Sequence, residues 1–178
     1  LTPYALLCIG LLIALGFSLG CSEFIVIGIQ PEIAREFGVP LSQAGMLMSA
    51  FSITYAIATP VLALGTGRIP RRTLLIGYSI LFCAGNSAAV LATSFEMLLA
   101  ARVLIGLVSG TLLAIGATYI PELAGMKRIS ICISLVYAAF SIAMVISTSA
   151  GKFIAATWEW HYAVIGTLVM SLVVLSLI

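Results

Sequence analysis

The sequence predicts an all-α membrane protein of six transmembrane helices, and three observations predict it. The chain has 178 residues, of which 62% are hydrophobic and only 8% charged, with a mean hydropathy of +1.26. Soluble domains carry about 25% charged residues, so this chain cannot clothe itself in a polar surface. Apolar runs of about 20 residues, the length that crosses a bilayer core, recur along it. The basic residues gather in alternate links between those runs, as the positive-inside rule requires of a multi-pass protein. The net charge of +2 gives no footing for a nucleic-acid partner.

The first span runs from about Tyr4 to Ile29 and stops at Gln30-Pro31-Glu32. Within it, Ser18-Leu19-Gly20-Cys21 faintly resembles a lipoprotein cleavage site. No basic segment precedes it and the apolar run continues past Cys21, so a retained span is expected. Ile33 to Pro40 is a short polar link. Span two covers about Ser42 to Leu64, with a kink expected at Pro60. Gly65-Thr66-Gly67-Arg68-Ile69-Pro70-Arg71-Arg72 forms a tight basic loop before span three, about Thr73 to Ala92. Thr93, with Glu96 three residues later, matches a capping box for span four. That span runs from about Phe95 to Ile120 and stops at Pro121. Span five covers about Ile129 to Ala155, and span six starts near Trp160 and is still running at Ile178. The chain opens on Leu1 and closes inside an apolar run, so both ends read as cut.

Orientation follows from charge. The links after spans two and four carry Arg68, Arg71, Arg72, Lys127 and Arg128, whereas the other side holds Arg35 and Lys152. The N-terminus is therefore expected in the cytoplasm, with Trp158, Trp160 and Tyr162 at the outer interface. Pro31-Glu32-Ile33-Ala34 ends span one outside, and Pro121-Glu122-Leu123-Ala124 ends span four inside, ninety residues later. That polarity is expected if three spans repeat inverted as the next three. A shared preference for proline after a helix accounts for the match equally well.

Few groups inside the spans can do chemistry. Arg102, in Leu99-Ala100-Ala101-Arg102-Val103-Leu104, is the foremost, because a cation near the bilayer centre costs about 2.5–3.5 kcal/mol on insertion scales. Such a residue ordinarily faces a water-filled cavity or a carboxylate. Glu23 lies in span one at matching depth, roughly 10–12 Å below the outer interface at 1.5 Å per residue. The two form a charge pair or proton-responsive pair if spans one and four adjoin. The plain alternative is a carboxylate that snorkels outward or is protonated and hydrogen-bonded.

Gly16-x-x-x-Gly20 and Gly106-x-x-x-Gly110 permit close helix crossings, and Gly151 in span five is a further packing candidate. Asn86, Ser87, Thr111, Ser147, Thr148 and Ser149 either line a cavity or bond to neighbouring backbone. Gly65, Arg68, Arg71 and Arg72 form either a structured conformational loop or a plain positive-inside link. Lys152, Glu159 and His161 read as interfacial anchors. Cys8, Cys21, Cys83 and Cys132 sit at irregular spacing inside apolar runs and read as packing residues. Phosphate-binding, metal-ligand and nucleophile motifs are missing, so no cofactor is expected and an enzyme is the weakest class.

The order of these motifs resembles the N-terminal half of a major facilitator superfamily transporter, in the drug/proton antiporter branch that includes sugar (arabinose-type) efflux permeases. Ser22-Glu23-Phe24-Ile25-Val26-Ile27-Gly28 leading into Pro31-Glu32-Ile33-Ala34 looks like that branch's first helix. Arg68-Ile69-Pro70-Arg71-Arg72 looks like its loop between helices two and three. Asn86-Ser87 through Arg102 and on to Gly106-Leu107-Val108-Ser109-Gly110 resembles its helix-four region. There are departures. The family's loop commonly carries an aspartate, and this chain has none. A glycine-x-proline-x-glycine motif in helix five becomes Ser147-Thr148-Ser149-Ala150-Gly151. The tryptophan-arginine that usually opens helix six becomes Trp158-Glu159 or Trp160-His161.

The resemblance implies half of a twelve-helix fold, with a cavity lined partly by helices one, two, four and five. It implies a bacterial inner-membrane protein exporting a small organic solute, of drug or sugar class, driven by proton entry. Glu23 would then bind the proton and Arg102 would tune it. The implied partners are the lipid bilayer, the substrate, protons, and a C-terminal six-helix half or a second copy. A half-size carrier that dimerises and a non-transporting membrane scaffold are the other readings.

Overall fold

The computed structural model describes residues 3–177, and all its regular structure is helical. The elements are α1 (Pro3–Glu36), α2 (Leu41–Ala44), α3 (Met46–Gly65), α4 (Arg71–Val90), α5 (Phe95–Ala117), α6 (Ile120–Ala124), α7 (Ile129–Thr157) and α8 (Trp160–Leu177). Helices α2 and α3 are separated by Gly45 alone, whose own backbone is helical, and act as one span. With α5 and α6 also joined, six segments among the described residues are long and apolar enough to cross a membrane.

The expected spans survive, but the ends of the first and fourth move and the cap of the fourth is a different residue. Helix α1 runs through Pro31 and ends seven residues later than the proline suggests. Its stop is Gly38, at φ +64°. The Val39 N–H donates to the Ala34 carbonyl at 3.0 Å, the six-to-one bond of a Schellman cap that needs a left-handed residue. Pro121 likewise does not end span four. It lies in the first turn of α6, where its missing N–H would be unsatisfied in any case. The cap of α5 is Ser94 rather than Thr93. Ser94 is the residue in extended conformation, and its hydroxyl accepts from the Met97 N–H at 3.2 Å. Ser94→Ala is therefore expected to cost about 1 kcal/mol, read as a lowered unfolding midpoint in detergent, whereas Thr93→Ala leaves the midpoint unchanged.

Helices α1 and α5 form the centre. In the most apolar stretch of the α5–α6 span 67% of residues are buried, and 56% in α1, against 17% in both α2–α3 and α7. The close approaches are made over glycines. A Cβ built on Gly16 would lie 2.8 Å from the Val136 carbonyl oxygen, and one on Gly20 would lie 2.7 Å from that of Phe140. Gly151 on α7 faces the Ile25 carbonyl oxygen in the same way, at 2.9 Å. Gly106 abuts the Phe51 backbone on α3, and a Cβ on Gly110 would collide with Thr59 and the Tyr55 ring. All five expected packing glycines thus sit at helix crossings, α1 on α7 and α5 on α3. Gly28 against Thr148 and Gly85 against Ile105 extend the set.

Apolar packing falls into two clusters. One, from Ile9 to Leu19 on α1 and Ile105 to Ile115 on α5, lies toward the end carrying the 65–72 loop. The other, from Ile25 to Ile33 on α1 and Phe95 to Ala101 on α5, lies toward the end carrying Trp160. The residues between them on α1, α4 and α5 include Ser22, Asn86 and Arg102, all buried. A polar layer therefore interrupts the core between the two clusters, nearer the Trp160 end, with Asn86 four residues from the end of α4 and Arg102 seven from the start of α5. At the tryptophan end, the Trp160 indole N–H donates to the Glu36 carboxylate, and Phe37 packs edge-on against the same indole. These contacts pin the end of α1 to the start of α8.

Candidate functional site

The polar layer is built by three helices. Arg102 projects from α5 and is only 1% exposed. Its Nη1 donates to the Ser22 carbonyl oxygen of α1 at 2.7 Å, so one helix's cation is held by another helix's backbone. A carbonyl has two lone pairs and can accept this bond alongside its own helical one. The Ser22 hydroxyl donates to Asn86 Oδ1 on α4 at 2.6 Å, and Asn86 Nδ2 donates to the Phe82 carbonyl at 2.9 Å. Arg102 Nε, by contrast, is buried with no hydrogen-bond partner among the described residues. A buried donor left unpaired is costly, and an incompletely satisfied guanidinium inside an apolar bundle is not what stability alone would select.

Glu23 is the next residue after the carbonyl that holds Arg102, and it is half-buried. Sequence reasoning put the two at matching depth, and the structure brings them into one neighbourhood without direct contact. Among the described residues the ion pairs are Arg35–Glu32 and Arg71–Glu122, not Glu23–Arg102. The two act on each other electrostatically through space, and Tyr55 on α3 is within range of Glu23 and of Tyr137 on α7. Neither tyrosine stands out in the sequence, where each sits in an apolar run. Tyr55 does follow Phe51 by four residues, and their rings pack at 5.9 Å, which places both on one face of α3.

Of the remaining polar candidates, Asn86 joins this layer. Ser109, which is not among those candidates, is buried and bonds, among the described residues, to the carbonyl four residues earlier in its own helix. Thr111 and Ser147 have buried hydroxyls without partners among the described residues. Thr148 Oγ1 donates to the Phe24 carbonyl at 3.3 Å, so the altered helix-five stretch lies on α1, as Val136 and Phe140 do earlier in α7. His161 stacks on Trp160 with ring centroids 3.8 Å apart. Among the described residues no three His, Cys, Asp or Glu side chains cluster as metal ligands would.

The basic loop divides. Arg71 reaches the far end of span four, donating to the Thr118 carbonyl at 3.1 Å and to Glu122 Oε1 at 2.5 Å. Its guanidinium also lies 5.1 Å from the centre of the Tyr119 ring. With side chains 47% and 59% exposed, the Arg71–Glu122 pair adds little to stability. What it does is couple the start of α4 to the end of α5–α6. Gly65 stands in open space, with nothing within 4 Å of where a Cβ would be, and Arg68 is exposed. Of the four loop candidates only Arg71 is docked.

A buried cation between central helices, a half-buried carboxylate beside it and a docked basic loop can be set against known proteins. Residues 11–178 match the family model of the Major Facilitator Superfamily. The MFS-type transporter YtbD of Bacillus subtilis is 31% identical over 83% of this chain and 37% of its own length. The chloramphenicol resistance protein of Streptomyces lividans is 29% identical over 81% of this chain and 37% of its own. A probable sugar efflux transporter of Pasteurella multocida is 27% identical over 90% and 40%. Among solved structures, the POT family transporter PepTSo superposes with a TM-score of 0.75 over 96% of this chain and 36% of that one, at 13% identity. The chain thus spans well under half the length of these relatives. It belongs to the major facilitator superfamily.

Proposed function

We propose that this chain is the N-terminal six-helix half of a secondary active transporter that exports a small organic solute in exchange for protons. The protein would lie in a bacterial inner membrane with its N-terminus in the cytoplasm. The observation that carries this reading is Arg102, buried in the polar layer between the two clusters, incompletely hydrogen-bonded and held by the carbonyl next to Glu23. Ionised Glu23 is attracted by the guanidinium. A proton arriving from outside neutralises the carboxylate, removes that attraction and frees α1 to favour the other orientation of the bundle. Such coupling works only if the two protonation states stabilise the two conformations differently. Arg71, clasping Glu122 and Thr118 at the basic end, is the contact expected to differ between them. Drug and sugar solutes are the favoured classes, because a chloramphenicol resistance protein and a probable sugar efflux transporter are among the relatives.

The pairings support an inverted repeat. The first span of each three-span unit, α1 and α5, crosses the second span of the other unit, α7 and α3, over glycines. The poorly buried faces of α3 and α7, with Ile53, Ile57 and Val61 on the former and Ile142, Ile146 and Phe153 on the latter, are where a second half would lie. A covalently linked half is favoured over a second copy by relatives more than twice this length. The test is the full-length protein in proteoliposomes under an imposed pH gradient, screened against drugs and sugars. Solute should accumulate on the side from which protons leave. If no solute is exchanged for protons, the antiport reading is lost.

A further inference from the structure

Two apolar grooves open on the surface of the bundle at its basic end, and they meet at one arginine. The first, of about 350 Å³, runs between α1 and the α5–α6 span, past Tyr4, Cys8, Leu12, Tyr119 and Leu123. The second, of about 470 Å³, runs between α4 and α8, past Ile76, Ser79, Cys83, Leu172 and Leu175. Arg72 and Leu75 line both. Arg72 is therefore a shared mouth, and buried Leu75 is the divide behind it.

Length and charge say what fits. From Arg72 to Cys83 the second groove extends eleven residues along α4, roughly 16 Å at 1.5 Å per residue. That is about half of the ~30 Å hydrocarbon core, the depth of one leaflet. From Tyr4 to Leu12 the first is roughly 12 Å long. The second groove is walled by outward-facing apolar residues, with Ile76 52% and Leu172 49% exposed, whereas the first is floored by buried Leu12 and Leu75. At the mouth the charge is unbalanced. Glu122, the acidic residue of this end, is taken by Arg71, whereas Arg72 is exposed and makes no ion pair among the described residues. Basic pockets between transmembrane helices on the cytoplasmic side suit anionic headgroups.

We infer that Arg72 and the two grooves form a site for one two-chain anionic phospholipid. Its phosphate sits on the Arg72 guanidinium and its acyl chains straddle Leu75, one in each groove. The test uses the full-length protein in mild detergent, its thermal unfolding midpoint followed against added phosphatidylglycerol, phosphatidylcholine or soluble glycerol phosphate. Phosphatidylglycerol should raise the midpoint at concentrations at least tenfold below those of phosphatidylcholine, and glycerol phosphate should do nothing. Arg72→Gln should abolish the preference and Arg68→Gln should keep it. Ser79→Phe, which fills the second groove without touching charge, should weaken phosphatidylglycerol several-fold. Equal losses in the two arginine variants would reduce the effect to diffuse surface charge and overturn the site. An equal response to glycerol phosphate would make it a phosphate site without lipid. No preference in the unmodified protein, as when another segment of the chain covers the grooves, would also overturn it.

Discussion

Arg102→Met is expected to leave the bundle folded and to cut proton-coupled transport by the full-length protein at least tenfold. Methionine matches the length of the arginine stem and removes the charge. Replacing a buried ion pair or triad by apolar groups of similar volume is often neutral or stabilising by about 1–4 kcal/mol, and Arg102, which makes no ion pair among the described residues, strands no contacting charge when it is removed. Here the gain should be at the low end, since the Ser22 carbonyl loses a donor but keeps its helical bond, and the unpartnered Nε disappears with the side chain. The unfolding midpoint in detergent should hold or rise while transport falls. A lowered midpoint together with unchanged transport per folded molecule would make Arg102 structural. Arg102→Lys retains a charge but not the fork that reaches across to α1, and should recover only part of the activity.

The second large effect is steric. Gly28→Val puts a Cβ onto the Thr148 carbonyl oxygen and close to the Lys152 amide, both backbone atoms of α7 that no rotamer change can move. Overpacking a tight contact costs typically about 1–3 kcal/mol, occasionally more, and a backbone obstacle belongs at the upper end. Gly77 supplies the control. It lies within α4 with nothing inside 4 Å of its Cβ position, so Gly77→Ala should gain about 0.5–1 kcal/mol from helix propensity alone. Denaturant unfolding of the two variants in one detergent checks both signs.

The six spans were legible because bilayer length and hydropathy constrain each run on its own. The paired glycines were legible for a similar reason, since Gly16-x-x-x-Gly20 needs only a small-residue spacing on one helix face. Gly28 continues the same face through Phe24, but the gap of eight hides it. Helix ends were less readable, because they depend on the dihedrals of single residues. Pro31 looks like a stop, yet the left-handed Gly38 is the true one, and Thr93 and Ser94 offer adjacent hydroxyls of which only Ser94 is extended. Equal depth suggested Glu23 with Arg102, whereas the contact actually made runs through the Ser22 backbone. Which atom a guanidinium reaches is set by the rotation of α1 about its axis, and an apolar pattern nearly uniform around the helix carries no such information. For the same reason Tyr55 was invisible as a neighbour of Glu23.

We propose that Glu23, next to the carbonyl that holds Arg102, carries the coupled proton. The most direct measurement compares Glu23→Gln with the unmodified full-length protein in proteoliposomes, following both solute counterflow and transport driven by an imposed pH gradient. Glutamine keeps the shape of a protonated glutamate and cannot release a proton. Counterflow should persist, and acceleration by the gradient should vanish. Gradient-driven transport that survives Glu23→Gln at the unmodified rate would contradict the account.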